Sequence, residues 1–259
     1  METHAAVLSG FGLNSEYETA YAIKLSGGNV DIIHLNQFID APSLLHTYNF
    51  LVLPGGFSYS DHLGAAKVFS NKLFFKLKKE LSEFISEKKL ILGICNGFQM
   101  LVKLGLLPYS DFKQKVTLSY NDSGKFEDRW VRLKANKNSP CIYTKDIDFF
   151  DLPVRHGEGK LIIPNQEILF DILNHNLFPL QYVDSEGKLS GYPFNPNGSI
   201  NNIAGLCDPT GRIFGLMPHP ECYNTFANHP LWTSLSSKEI REGHGLKIFK
   251  NAVNYLKTQ

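Results

Sequence analysis

Leu90-Ile91-Leu92-Gly93-Ile94 is an unbroken apolar run, and Cys95 follows it at once. Asn96-Gly97-Phe98-Gln99-Met100-Leu101-Val102 comes next, with apolar residues at helical spacing. The run reads as a buried strand and the segment after it as a helix. A chain that passes from buried strand to helix in one residue is committed to a layered α/β architecture, with Cys95 at a sharp corner. Glycines on either side of the corner permit close backbone approach. Unpaired N–H groups and the positive field of a helix start both favour a thiolate. Cys95 is therefore a candidate nucleophile; a small buried hydrophobe is the competing reading.

The surrounding pattern supports the α/β expectation. Ala5–Ser9, Val30–Leu35 and Phe50–Leu53 read as strands, and Glu16–Leu25 and Asn71–Glu87 as helices between them. This alternation predicts a doubly wound, mostly parallel central sheet with flanking helices, and ligands at the carboxyl edge of its strands. Further on, Trp130–Leu133, Ile142–Thr144 and Phe150–Arg155 look like additional short strands. Residues 191–202 read as a long loop. Ile203–Leu206 and Ile213–Leu216 form a hairpin around Cys207-Asp208-Pro209-Thr210-Gly211, and Gly245–Leu256 is a closing helix. No repeat or linker divides the 259 residues, so a single domain spanning 1–259 is expected.

Composition narrows the partners. Lys plus Arg number 26 against 25 Asp plus Glu, with no concentrated basic stripe, so nucleic acid is not an expected ligand. No apolar run nears the roughly 20 residues that span a bilayer, and the N-terminus lacks a secretory pattern. Cys95, Cys141, Cys207 and Cys222 form no CxxC pair or zinc-site spacing, which predicts no metal centre and a reducing, cytoplasmic setting.

A cysteine nucleophile needs a base and an oxyanion site. His219, in Met217-Pro218-His219-Pro220-Glu221, follows a predicted strand, and flanking prolines restrict its backbone. In an extended stretch, His219 and Glu221 face the same side, so Glu221 can orient the ring. Arg155-His156-Gly157-Glu158-Gly159 offers a rival pair with the same spacing, and spacing alone does not separate them. The Gly56 N–H in Pro54-Gly55-Gly56 and the Asn96 N–H after the nucleophile are candidate oxyanion donors; an ordinary turn is the alternative for the glycine pair.

These stretches resemble the class I glutamine amidotransferases. Gly93-Ile94-Cys95-Asn96-Gly97-Phe98-Gln99, residues 121–130 (Asn-Asp-Ser-Gly-Lys-Phe-Glu-Asp-Arg-Trp) and the His156-Gly157-Glu158-Gly159 turn narrow the likeness. They resemble the glutaminase subunits that serve formylglycinamidine ribonucleotide synthesis in purine biosynthesis. The resemblance covers nearly the whole chain. It implies that Cys95 attacks L-glutamine, that His219 and Glu221 complete the catalytic set, and that Gly56 and Asn96 form the oxyanion hole. It implies Gln99, Asn121, Ser123 and Phe126 as substrate-binding residues. It also implies an ATP-dependent synthetase partner that takes the ammonia, a small assembly subunit, and ATP with Mg²⁺ in that partner; no cofactor is expected in this chain. Two departures stand out: Cys222 where the family usually has arginine, and Ser60, His62 and Gly64 in place of a glycine, aromatic and arginine pattern. Other Cys-His hydrolases on a similar scaffold, and a catalytically silent assembly protein, are the competing classes.

Overall fold

The structure is a computed structural model, and it describes residues 2–234 and 242–259. In chain order, β1 (His4–Ser9), α1 (Glu16–Leu25), β2 (Asn29–His34), α2 (Leu35–Asp40), β3 (Phe50–Leu53), α3 (Lys67–Ser86), β4 (Leu90–Ile94) and α4 (Asn96–Lys103) come first. They are followed by β5 (Thr117–Ser119), β6 (Glu127–Ala135), β7 (Phe149–His156), β8 (Lys160–Ile162), α5 (Gln166–Asn174), β9 (Leu180–Val183), β10 (Ile203–Cys207), β11 (Ile213–Leu216) and α6 (Leu246–Lys257).

Nine strands form one sheet in the order β2-β1-β3-β4-β11-β10-β9-β6-β7, and β5 pairs with β8 apart from it. The pairings from β2 to β11 are parallel and those from β11 to β7 antiparallel. The sheet is thus mixed rather than mostly parallel. The segments that build β6, β7, β9 and β10 connect largely through turns and loops, which suit antiparallel neighbours. Within the parallel half the strand order reverses after β2. Right-handed crossovers then put α1 and α3 on opposite faces, which is the doubly wound arrangement.

Apolar spacing explains the helical layers. In α3, Phe69, Leu73, Leu77, Leu81 and Phe84 recur every three or four residues and are buried, while Lys76, Lys78 and Lys79 face solvent. Burying each such side chain contributes about 1.5–3 kcal/mol. The helix begins at Lys67, earlier than Asn71, because Phe69 belongs to the buried stripe and the Ser70 hydroxyl donates to the Ala66 carbonyl. Ile142–Thr144 is a 3₁₀ turn, not a strand: Tyr143 leaves the sheet plane to pack against Phe214 and Phe50, with ring centroids 5.4 and 6.2 Å away. Leu35, expected to end β2, instead opens α2, where the His34 ring accepts from the Asn36 N–H.

Helix α4 sits unusually close to the sheet. Leu53, Gly93 and Gly215 lie opposite one another on β3, β4 and β11. A Cβ on Gly97 would overlap the Leu53 carbonyl, and one on Gly93 would collide with the Gly97 carbonyl. Gly97→Ala is therefore expected to destabilise the fold by about 3 kcal/mol or more through overpacking. Gly191→Ala, at an open position, is expected to change stability by less than about 0.5 kcal/mol. Urea unfolding followed by circular dichroism compares the two; equal midpoints would show that α4 can retreat from the sheet.

Candidate active site

The close seating of α4 shapes the corner that holds Cys95. The residue adopts φ 52° and ψ −106°, a strained geometry for a residue with a side chain. It is fixed by its N–H donating to the Leu216 carbonyl at 2.8 Å and by its own carbonyl accepting from Gln99 N–H at 3.1 Å. The predicted strand–nucleophile–helix elbow is therefore present, and the side chain is 6 % exposed.

β11 lies beside β4, so the segment after it emerges at the same edge. His219 is extended, at φ −106° and ψ 91°, and its N–H donates to the Pro153 carbonyl at 2.8 Å. Glu221 lies in a 3₁₀ turn, Pro220–Cys222, so the pair meets through a turn rather than through a continued strand. Its Oε1 is 2.6 Å from His219 Nδ1, and both groups are buried. Burial alone would depress the His219 pKa. The negative charge of Glu221, reinforced by charge and hydrogen-bond interaction with Cys95, outweighs it and raises the value to about 10. His219 Nε2 is buried without a hydrogen-bond partner of good geometry. The Cys95 thiol instead donates to the Arg155 carbonyl, with Sγ 3.6 Å from the oxygen. The site thus juxtaposes a sulfur, an imidazolium with one free ring nitrogen, and a buried carboxylate.

His156, the rival base, is differently placed. Its Nδ1 lies 3.1 Å from Asn121 Oδ1, and burial together with the His219 charge pushes its pKa down to about 3. Glu158 does not orient it. That carboxylate takes a backbone hydrogen bond from Ala65 and lies in the field of Asp61 and Lys103. The geometry selects His219–Glu221 as the coupled pair and leaves His156 a neutral neighbour.

Gly56 lies opposite Leu13 in an isolated antiparallel bridge. Gly55 O accepts from Asn14 N–H and Phe57 N–H donates to Gly12 O, at 3.1 and 2.9 Å. Both flanking residues are thus tied to the loop after β1, which turns the Gly56 N–H toward the other edge. At φ 150°, with Gly12 O only 2.6 Å from where a Cβ would sit, the position admits glycine alone. The His219 ring lies against Gly55, where a side chain would also collide. Asn96 is the first residue of α4, so its N–H has no partner within the helix.

The remaining predicted residues divide. Gln99 donates through Nε2 to the Glu158 carbonyl at 2.7 Å and accepts from Asn96 Nδ2 at 2.8 Å. Asn121 donates to the Lys125 and His156 carbonyls, and its Oδ1 faces Gly159 N–H and the His156 ring. Both amides thus bond within the protein, largely to the backbone of the turns at 121–125 and 156–159. Ser123 lines a hollow of about 490 Å³ with Lys125, Tyr192 and Asn195, and Cys95 is not among its lining residues. Phe126 is half exposed, its ring 6.2 Å from Phe57 and beside Gly157.

Sequence reasoning did not find Asn197 and Ser199. Asn197 Nδ2 and Ser199 Oγ both donate to the Gly159 carbonyl, and so brace the turn after His156. The only signal was polar residues within a predicted loop. Cys222 Sγ lies 3.8 Å from Glu221 Oε1 and 3.5 Å from Arg155 Nη1. With His219 and Glu221 it forms a group of potential metal ligands. Burial and the Glu221 charge push its thiol up to about 12, which opposes the thiolate form a metal requires, and His219 Nδ1 is already engaged by Glu221.

Residues 2–256 match the CobB/CobQ-like glutamine amidotransferase domain family. With the mixed sheet and the elbow, that match makes the chain a class I glutamine amidotransferase. It is 44% identical over 247 residues to phosphoribosylformylglycinamidine synthase subunit PurQ of Dehalococcoides mccartyi, covering 94% of each chain. It is 41% identical over 264 residues to the Methanococcus maripaludis subunit PurQ, covering 96% of each. A chain of the PurLQS structure from Thermotoga maritima superposes with a TM-score of 0.69 at 29% identity, covering 99% of this chain and 100% of that one. The chain belongs to the PurQ family of phosphoribosylformylglycinamidine synthase subunits.

His219 and His156, both buried, predict opposite pH responses. His219 has a folded pKa raised above its ordinary 6.5, so its interaction with Glu221 contributes stability in full below about pH 6.5 and loses it as pH rises toward about 10. His156 has a lowered folded pKa, so acid favours the unfolded chain as pH falls from 6.5 toward about 3. NMR titration is expected to find the His219 ring changing near pH 10. In Glu221→Gln that midpoint drops, and the stability gap to the parent narrows with rising pH. A His219 midpoint near 6.5 in the parent would refute the coupling.

Proposed function

We propose that this chain is the glutaminase subunit of a phosphoribosylformylglycinamidine synthase and hydrolyses L-glutamine to glutamate and ammonia. The observation that carries the reading is the strained Cys95 elbow beside the buried His219–Glu221 pair. His219 holds the Cys95 proton on Nε2, and the resulting thiolate attacks the side-chain amide carbon of glutamine. The developing oxyanion is received by the Gly56 and Asn96 N–H groups, each such donor being worth about 3–4 kcal/mol in a transition state. His219 delivers a proton to the departing nitrogen, and ammonia leaves a thioester on Cys95. Water then attacks the thioester, His219 removes its proton, and glutamate departs with the sulfur restored. Glu221 keeps the ring oriented and supports its positive form.

Phe126 and Phe57 wall the entrance, while Gln99 and Asn121 hold the backbone that surrounds the substrate. The departures at Ser60, His62, Gly64 and Cys222 leave this set intact. Ammonia passes to an ATP-dependent synthetase partner that makes formylglycinamidine ribonucleotide, with a small third subunit in the assembly. ATP and Mg²⁺ chemistry belong to that partner. The chain works in the cytoplasm, where its four free cysteines stay reduced.

Glutamate release is expected to rise when the chain assembles with its synthetase partner, since docking can complete a site that is open in the free subunit. Cys95→Ala is expected to abolish release with the fold retained, and His219→Gln to lose far more activity than His156→Gln. Full activity in Cys95→Ala, or a larger loss at His156, would overturn the assignment.

A further inference from the structure

Residues 57–66 follow Gly56 directly and hold a dense run of backbone strain. Tyr59, Ser60 and Asp61 are consecutive left-handed residues, with φ of 53°, 54° and 51°, and Ala66 is another at 61°. Such a run persists only where its surroundings hold it in place. Asp61 Oδ1 accepts from the Ala66 N–H at 3.0 Å and from Asn96 Nδ2 at 3.3 Å. The Tyr59 ring stacks on Phe11 at 4.7 Å, with Lys72 Nζ over both rings. Glu158 secures the neighbouring Ala65.

Asn96 joins this loop to the nucleophile corner. Its Oδ1 accepts from the Ser58 N–H at 3.2 Å, while its Nδ2 reaches both Asp61 and Gln99. One buried side chain thus ties the residue after Cys95 to both ends of the 58–61 segment. The same residue's backbone N–H, and the Gly56 N–H two residues before that segment, are the two donors assigned to the oxyanion.

We propose that Asp61 is a positioning residue: it holds the 57–66 loop in its left-handed form and, through Asn96, fixes the spacing of the two oxyanion donors. The proposal rests on the glutaminase reading and deepens it. Asp61 acts through Asn96 and Ala66. Its carboxylate bonds to these two residues and lies in the field of Lys103 and Glu158.

The test uses the full chain assembled with its synthetase and small subunit, comparing the parent with Asp61→Ala and Asp61→Asn. Two rates are measured: glutamate release at saturating glutamine, and alkylation of Cys95 by iodoacetamide. In the second reaction sulfur displaces iodide from a saturated carbon, so no oxyanion forms. Asp61→Ala is expected to lower kcat about 10- to 100-fold, the scale of an ångström-sized misalignment, with Cys95 alkylation unchanged. Asp61→Asn keeps an acceptor oxygen for Ala66 and Asn96 and is expected to retain most of the parent's kcat. An unchanged kcat in Asp61→Ala overturns the proposal. So does a parallel fall in kcat and alkylation, which would mean that the nucleophile corner itself had been damaged. A parent assembly that releases no glutamate overturns the glutaminase reading, and this proposal with it.

Discussion

β3, β4 and β11 lie side by side and parallel, and each releases the chain at the same edge of the sheet. Neighbouring strands sit about 4.8 Å apart, so three consecutive strand ends span only about 10 Å. That spacing brings together Gly56, Cys95 and His219, which are far apart in sequence. Cross-strand alignment of Leu53, Gly93 and Gly215 then lets α4 settle onto the sheet, which sets the angle at which Cys95 leaves β4. Remove the glycines and the helix must lift; the sulfur would move with it.

Electrostatics divides the labour between His219 and His156. Desolvation acts on both in the same direction. Of these two, only His219 has a carboxylate against its ring, and that charge favours its protonated form. The His219 charge, in turn, helps keep His156 neutral. Environments that push a pair of titratable groups apart in pKa are a recurrent way of assigning distinct chemical roles. Here the second role is architectural: a neutral His156 can share Asn121 with the Gly159 N–H, which holds the turn beside the sulfur.

Much of the parallel half was legible in the sequence because its signals are local. Buried strands, helical spacing and glycine punctuation located the elbow, and the limits of α1, β3 and β4 agree with the pattern. The choice between His219–Glu221 and His156–Glu158 was not legible, since both have the same spacing and follow strands. Tertiary contacts decide it, by sending Glu158 toward Ala65 rather than to the histidine. Asn121 and Gln99 illustrate a related limit. An amide near a candidate nucleophile reads as a ligand-binding group, yet here both amides donate to backbone carbonyls, Glu158 for Gln99 and Lys125 and His156 for Asn121. Ile142–Thr144 has β-forming residues, but the packing of one tyrosine ring outweighs that preference.

β11 occupies an interior place in the sheet although it comes late in the chain. Until it arrives, β4 has a bare edge where its neighbour should be, and Cys95 lacks the Leu216 carbonyl that fixes its N–H. During synthesis the first hundred or so residues therefore emerge with a sulfur-bearing strand unshielded on one side, the kind of edge that invites pairing with another chain. The order of strands makes completion of the corner a late event: its shape and its imidazole come from the same arriving segment.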